Sequence, residues 1–166
     1  MATGHRNRTV GQAGEYLVAS ELSRRGFVTT TFTGNVPDYD IVATDEQFRS
    51  VLVQVKTSSG TSWQFDLRRF ADVTMKGDKQ VIGSRISLAR DIICVLVALG
   101  KYGEDRFYVM RWSQLRDTII DGHLEYLSRH KGVRPKKADS FHCGLKEGDL
   151  ARFRDNWAAI EDGFGM

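Results

Sequence analysis

Several features are scarce in this chain of 166 residues, and each absence removes a class of protein. No apolar run approaches the roughly 18 residues that a membrane-spanning helix requires, so we expect no membrane insertion. The N-terminal residues are not followed by the apolar segment of a secretory signal peptide, and we therefore expect a cytoplasmic location. The two cysteines, Cys94 and Cys143, lie far apart in sequence. This separation favours two reduced thiols over a redox pair or a clustered metal site.

The composition is that of a folded globular domain. Apolar residues make up 41% and charged residues 27% of the chain, and a chain of this length buries a sizeable core as one unit. We predict a single domain over residues 1–166, with a core over about 9–112 and a C-terminal helical extension over about 113–166. The net charge of +3 permits a nucleic-acid partner without requiring one.

Local patterns predict the order helix, strands, an ambiguous segment, strands, helix. Thr9 and Gln12 have the form of a capping box, and Gly26 follows two arginines, so a helix should run from about 10 to 25. Residues 27–32 form a short threonine-rich stretch, and alternating or continuous apolar residues predict strands over 41–43, 50–57, 63–67, 92–99 and 106–111. Residues 71–90 are ambiguous. Helices are predicted over 113–120 and about 147–160, and a turn at Gly34, Asn35 and Pro37.

The strand over 50–57 has two chemically different faces. Its valines share one face, whereas Gln54 and Lys56 share the other. If the preceding turn is centred near residue 47, antiparallel partners have numbers that sum to about 94, which sets Asp40 opposite Gln54. Directly opposed Cβ atoms would lie only about 4.5 to 5.5 Å apart. Glu15 falls on the apolar stripe of the first helix and can reach the same volume.

These residue types suit a metal-assisted reaction. A hard cation prefers oxygen ligands, which Asp40, the Gln54 side chain and the Val55 carbonyl could supply, with Glu15 bound directly or through water. Lys56 could position or deprotonate a water and offset charge on a phosphodiester. Taken singly, each residue is more often a turn residue or a solvated edge charge. Asp38 is a second choice for the acidic position.

These residues resemble the motifs of the PD-(D/E)xK nuclease superfamily. The likeness rests on four segments: Gly14-Glu15, Gly26, Pro37-Asp38-Tyr39-Asp40 and Gln54-Val55-Lys56-Thr57. It is strongest to small QVK-type endonucleases similar to archaeal Holliday-junction resolvases and type IV restriction enzymes. The resemblance implies an α/β fold with a restriction-endonuclease-like core, a central mixed β-sheet flanked by helices in αβββαβ order. It also implies cleavage of DNA with Mg²⁺ or Mn²⁺. An acid is commoner at the position of Gln54, whose neutrality should weaken cation binding.

The function expected from the sequence is that of a metal-dependent DNA endonuclease in repair, recombination or defence against foreign DNA. Phosphates would be positioned by basic residues, namely Arg68, Arg69, Arg134, Lys136 and Lys137. For the basic segment around Arg134, a solvated loop without a ligand is an equal alternative. A homodimer is a possible assembly, because small nucleases that cut two strands often pair two active sites. Two further alternatives stay open: a non-catalytic DNA-binding or protein-interaction module, and a structural subunit of a larger complex.

Overall fold

The computed structural model describes residues 2–32, 38–88, 90 and 92–165, and the predicted turn at Gly34, Asn35 and Pro37 lies outside them. The helices are α1 (Ala2–Arg24), α2 (Trp112–Arg129) and α3 (Ala158–Asp162). The strands are β1 (Val28–Thr31), β2 (Ile41–Thr44), β3 (Ser50–Ser58), β4 (Ser62–Asp66), β5 (Ala71–Lys76), β6 (Lys79–Arg85), β7 (Ile93–Ala98), β8 (Arg106–Arg111) and β9 (His142–Lys146). Short 3₁₀ helices span Leu67–Arg69, Glu147–Phe153 and Gly163–Gly165.

A five-stranded mixed sheet in the order β1-β2-β3-β7-β8 forms the centre of the molecule. Only β3 and β7 run parallel, and the other neighbours are antiparallel. Residues of α1 and α3 bury one face of the sheet, and residues of α2 and β4 bury the other. Every residue of β7 is buried, as its continuous apolar run predicts. The predicted α/β class with a central mixed sheet flanked by helices is therefore confirmed.

Helix α1 begins earlier than the sequence predicts but ends where predicted. Thr9 lies inside the helix, so the capping-box interpretation is wrong, because the chain continues in helical conformation back to Ala2. At the other end Gly26 adopts a φ of 90°. Its amide donates to the Ser23 carbonyl, and the Phe27 amide donates to the Leu22 carbonyl. This pair of bonds is a Schellman motif, which requires the left-handed conformation that glycine adopts easily.

The β2–β3 hairpin has the register that its turn predicts. Ile41 pairs with Val53 and Thr44 with Ser50, so partner numbers sum to 94. The Asp45 carboxylate holds the turn by accepting the backbone N–H groups of residues 47 and 49. Because the register is fixed in this way, Asp40 is placed at the end of β2 beside the second half of β3.

The predicted αβββαβ order requires a correction between β3 and β7. A helix was expected there, but this connection contains β4, a 3₁₀ turn and the β5–β6 hairpin. Gly77, with a φ of 61°, forms the hairpin tip. Helix α2 covers the corresponding face of the sheet from later in the chain. The period-two pattern of residues 63–67 and the glycine turn favour strands in this region, so the face is covered by a later element.

The extension over 113–166 is not wholly helical, which is a second correction. Strand β9 pairs antiparallel with β4 and so joins the extension to the core. The helix expected over 147–160 divides into a 3₁₀ helix and α3, because Asp155 takes a φ of 50° between them. Its apolar positions, Leu150, Phe153, Trp157 and Ile160, are nevertheless all buried. Among the described residues, no helix is both long and apolar enough to cross a membrane.

Candidate functional site

Helix α1 approaches the end of β3 at a glycine. A Cβ atom on Gly14 would lie 1.8 Å from the Thr57 hydroxyl oxygen, so only glycine permits this contact. That hydroxyl oxygen is buried and has no hydrogen-bond partner among the described residues. The next residue, Glu15, is half-buried. Because Gly14 lies against Thr57, Glu15 also lies near this end of β3.

The regular pairing of β2 with β3 ends at Ile41 and Val53. Beyond that pair, the Asp40 side chain contacts the backbone of β3. Its amide donates to the Val53 carbonyl at 2.8 Å, and its Oδ2 atom accepts the Val55 amide at 2.7 Å. In an antiparallel ladder the N–H and C=O of one residue point to the same neighbouring strand. The Val55 carbonyl therefore faces the edge where Asp40 lies.

Asp40 and Glu15 are two neighbouring carboxylates that no described lysine or arginine pairs with. Burial raises the pKa of the Asp40 carboxyl, and the hydrogen bond from Val55 opposes that rise. Burial also raises the pKa of Glu15, and the negative charge of Asp40 raises it further. The described residues provide no salt bridge to either carboxylate. Such a pair favours the uptake of a cation or a proton.

Gln54 and Lys56 line a small cavity of about 90 Å³ together with aromatic side chains and Arg69. The Lys56 Nζ atom lies 5.2 Å from the centre of the Phe65 ring. Lys56 is exposed overall, but partial loss of solvent around its ammonium lowers its pKa, and the positive charge of Arg69 lowers it further. The Trp63 indole donates to the Lys56 carbonyl at 3.0 Å and fixes the backbone there. Lys56 is thus shifted toward its neutral form.

The predicted residues fall into two adjoining groups. Glu15 and Asp40 interact at the open edge of β3, whereas Gln54 and Lys56 lie in the cavity with Arg69. Val55 belongs to both, because its amide binds Asp40 and it also lines the cavity. The influence of Arg69 on Lys56 was missed by sequence reasoning, which treated this arginine only as a phosphate contact.

Asp38 lies apart from the carboxylate pair. It is exposed, has a φ of 72°, and its carboxylate lies 3.9 Å from the Arg69 guanidinium. That position makes Asp38 a partner of the arginine at the cavity rim.

The other basic residues differ in how free their charges are. Arg68 forms a two-pronged pair with Asp66 and lowers the pKa of that carboxyl to about 2. The Arg134 guanidinium is half-buried and donates to the Ser140 carbonyl at 2.8 Å. Lys136 and Lys137 are exposed. Of the five residues predicted to contact phosphates, these two lysines present the most accessible charge, and Arg69 is also exposed but lies 3.9 Å from the Asp38 carboxylate.

The donor chemistry of the site fits a hard cation. Two carboxylates and a backbone carbonyl are oxygen ligands of the kind Mg²⁺ prefers. Within the described part of the chain, no three His, Cys, Asp or Glu side chains gather as a metal-binding group. The remaining ligands would therefore be the Gln54 amide oxygen, the Val55 carbonyl and water.

Comparison with known proteins identifies the fold. No family model and no curated protein sequence matches the chain. Among solved structures, the bacterial homing endonuclease I-Ssp6803I matches with a TM-score of 0.53 and 14% sequence identity, over 96% of each chain. At this identity the likeness establishes a shared nuclease-like fold and nothing finer. It spans the C-terminal third as well as the core.

Proposed function

We propose that this protein is a Mg²⁺- or Mn²⁺-dependent endonuclease that hydrolyses phosphodiester bonds in DNA, with a PD-(D/E)xK type of active site. The observation that carries the proposal is the Asp40 carboxylate, bonded to the Val55 amide and close to Glu15 with no salt bridge from the described residues, next to a cavity lined by Lys56, whose pKa is lowered. A fold shared with a homing endonuclease supports the same conclusion.

The cation would be held by Asp40, Glu15, the Val55 carbonyl and the Gln54 side-chain oxygen. Such an ion polarises the phosphate and lowers the pKa of a bound water. The raised pKa values of both carboxyls are consistent with a site that is completed by positive charge. Because Gln54 is neutral, we expect weaker cation affinity than at a site with three carboxylates.

Lys56 would act on the attacking water and on the phosphate. Its lowered pKa makes the neutral amine easier to reach, so Lys56 can accept a proton from the water. In its charged form it offsets the negative charge that develops on the phosphate oxygens. Arg69, at the rim of the same cavity, would hold the substrate phosphate and keep the pKa of Lys56 low.

Metal titration and DNA cleavage together test the proposal. Calorimetry should detect Mn²⁺ binding to the native protein and its loss in Asp40→Asn, because that substitution removes an anionic ligand. Cleavage of linear, supercoiled, single-stranded or branched DNA should require the metal and stop with EDTA. Glu46→Gln, a change at an exposed acid in the β2–β3 turn, serves as the control and should retain both properties. Absence of cleavage on all four substrates would contradict the catalytic assignment.

A non-catalytic DNA-binding or protein-interaction module is the second candidate, and the neutral Gln54 is the observation that favours it. In that case Asp40→Ala and Lys56→Ala would leave DNA affinity unchanged, and neither the native protein nor a Gln54→Glu variant would cut DNA. Metal-dependent cleavage by the native protein would exclude this candidate.

A further inference from the structure

The β5–β6 hairpin is joined to the basic loop that follows α2. Lys79 forms an antiparallel bridge with Val133, and the Gln80 amide donates to the Gly132 carbonyl at 3.3 Å. Gly132, with a φ of 82°, lies against the aliphatic part of the Lys79 side chain. Two segments more than fifty positions apart in sequence therefore form one continuous surface. We call residues 76–79 and 131–140 the hairpin–loop surface.

A buried glutamine fixes this junction. The Gln80 side-chain Nε2 atom donates to the carbonyls of Ala138 and Ser140, at 2.7 and 2.9 Å. Its Oε1 atom is then the acceptor for His123 Nε2, at 2.9 Å, which requires the tautomer that is protonated on Nε2. Burial lowers the pKa of His123, and the charge of Arg134 adds to that effect. With every polar atom of the Gln80 side chain bonded, the loop is held rigidly against the hairpin.

Positive charge is concentrated on the hairpin–loop surface. It contains six basic residues and two acidic residues, Asp78 and Asp139. The basic residues are Lys76, Lys79, Lys131, Arg134, Lys136 and Lys137. The surface thus has a formal charge of +4, whereas the whole chain has +3. All five lysines are exposed, and no salt bridge to them occurs among the described residues.

The hairpin has one anchored face and one free face. Val73, Gln80 and Ile82 point inward and are buried or half-buried. Thr74, Lys76, Lys79 and Val81 alternate with them and are exposed. A two-stranded ribbon fits the major groove of B-form DNA, whereas the major groove of duplex RNA is too narrow for side chains to read.

The hairpin also begins at the candidate active site. Strand β5 follows Phe70 directly, and the Ile86 amide closes the base of the hairpin by donating to the Phe70 carbonyl at 2.8 Å. Phe70 lines the cavity that contains Gln54 and Lys56. The base of the hairpin and Arg69 therefore border the same cavity.

We propose that the hairpin–loop surface is a duplex-DNA binding surface, with the free face of the β5–β6 hairpin directed into the major groove and the lysines bound to flanking phosphates. This inference rests on the proposed function insofar as DNA is the ligand, but it requires no cleavage. It adds Lys76, Lys79 and Lys131 to Lys136 and Lys137, which the sequence already predicts as phosphate contacts, and it assigns a role to a segment whose sequence is ambiguous.

The dependence of DNA affinity on salt tests this surface. Binding of a duplex oligonucleotide is measured from 50 to 300 mM salt, without divalent metal, for the native protein and for Lys76→Ala/Lys79→Ala. Each phosphate contact contributes about 0.9 to the slope of log affinity against log salt, so the double variant should lower the slope by about 1.8. Its affinity near 0.1 M salt should fall by at least about tenfold. Lys101→Ala, in the β7–β8 connection, is the matched control and should change neither value.

Other outcomes separate this inference from the catalytic proposal. A reduced slope in a protein that never cuts DNA would support the surface and reject the nuclease. Cleavage with an unchanged slope in Lys76→Ala/Lys79→Ala would do the reverse. Tighter binding to duplex RNA than to duplex DNA, or no salt-dependent binding by the native protein, would overturn the inference. Lys136→Ala/Lys137→Ala, which changes the loop alone, should lower the slope by a similar amount. Agreement between the two variants would show that the effect does not come from misfolding of the hairpin.

Discussion

Carboxylates occupy two contrasting environments in this protein. Glu147, at the start of a 3₁₀ helix, accepts hydrogen bonds from Arg106 and the Tyr108 hydroxyl, and these contacts lower its pKa. Burial, aided by Glu147, raises the pKa of Tyr108 to about 12. Glu15 and Asp40 have no cationic partner among the described residues, and their pKa values are raised.

The contrast separates groups that hold the fold from groups available for chemistry. A carboxylate bonded to arginine and tyrosine gains from being charged, so it stabilises the folded state. A half-buried carboxylate beside a like charge costs stability unless a cation is added. The Glu15–Asp40 pair is therefore a candidate for function. The contacts of Glu147 with Arg106 and Tyr108 instead join β8 to the C-terminal segment.

Replacing one cation near each kind of carboxylate should give the largest effect: Lys56, in the cavity that adjoins the Glu15–Asp40 pair, and Arg106, which is bonded to Glu147. Lys56→Met should lower cleavage at least about 100-fold, because a proton-transfer and charge-stabilising group is lost, and should not lower the free energy of unfolding. Arg106→Met should instead destabilise the fold by about 2 kcal/mol, because Glu147 loses a charged hydrogen-bond partner. Denaturant unfolding and cleavage rates per folded molecule measure both. Equal destabilisation by the two variants would show that Lys56 is also structural.

The contact between α1 and β3 gives the second prediction. Gly14→Ala should destabilise the protein by roughly 1–3 kcal/mol, because the added methyl group overlaps the Thr57 side chain. Cleavage should fall as well, since Glu15 moves with the helix. Gly11→Ala lies on the same helix, and its Cβ would meet nothing within 4 Å. That control should stabilise the protein by about 0.5–1 kcal/mol. Thermal unfolding compares the two variants, and similar melting temperatures would argue against the close contact.

The smallest expected effect is a difference in pH dependence. The folded-state pKa of Glu15 lies above 4.5, so the folded protein binds this proton more tightly than the unfolded chain. The contribution of Glu15 to stability is therefore full below pH 4.5 and is lost as pH rises through the folded pKa. Metal-free Glu15→Gln should accordingly gain stability relative to the native protein over that window.

Glu147→Gln should show the opposite trend. The pKa of Glu147 is lowered from 4.5, so its stabilising contribution is present above pH 4.5 and is lost as pH falls through the lowered pKa. Unfolding free energies of both glutamine variants from pH 3 to 8 would reveal opposite slopes. Parallel slopes would remove the distinction between the two environments.

Local sequence patterns predicted the elements whose formation depends on near neighbours. Residues 106–111 were predicted and observed as a strand with the same bounds, and the 50–57 strand differs by one residue. The turn around Asp45 fixed the β2–β3 register, and with it the placement of Asp40 opposite the second half of β3. The sequence of the β5–β6 hairpin is ambiguous because its inner face packs against residues distant in sequence, which no local pattern reveals.

The sequence by itself determined which residues of β3 share a face, where helix α1 ends at Gly26, and which residue types form the candidate site. Each of these depends only on residues a few positions apart: on the two-residue period of a strand, on the backbone freedom of glycine, and on the side chains present. Only the tertiary structure decided that burial and mutual repulsion raise the pKa of Glu15 beside Asp40, that Arg69 acts on Lys56, and that Gln80 bonds the hairpin to the basic loop. Those relations depend on burial and on the approach of distant segments. Long-range packing sets both, and it is also what shifts the pKa values on which the proposed chemistry rests.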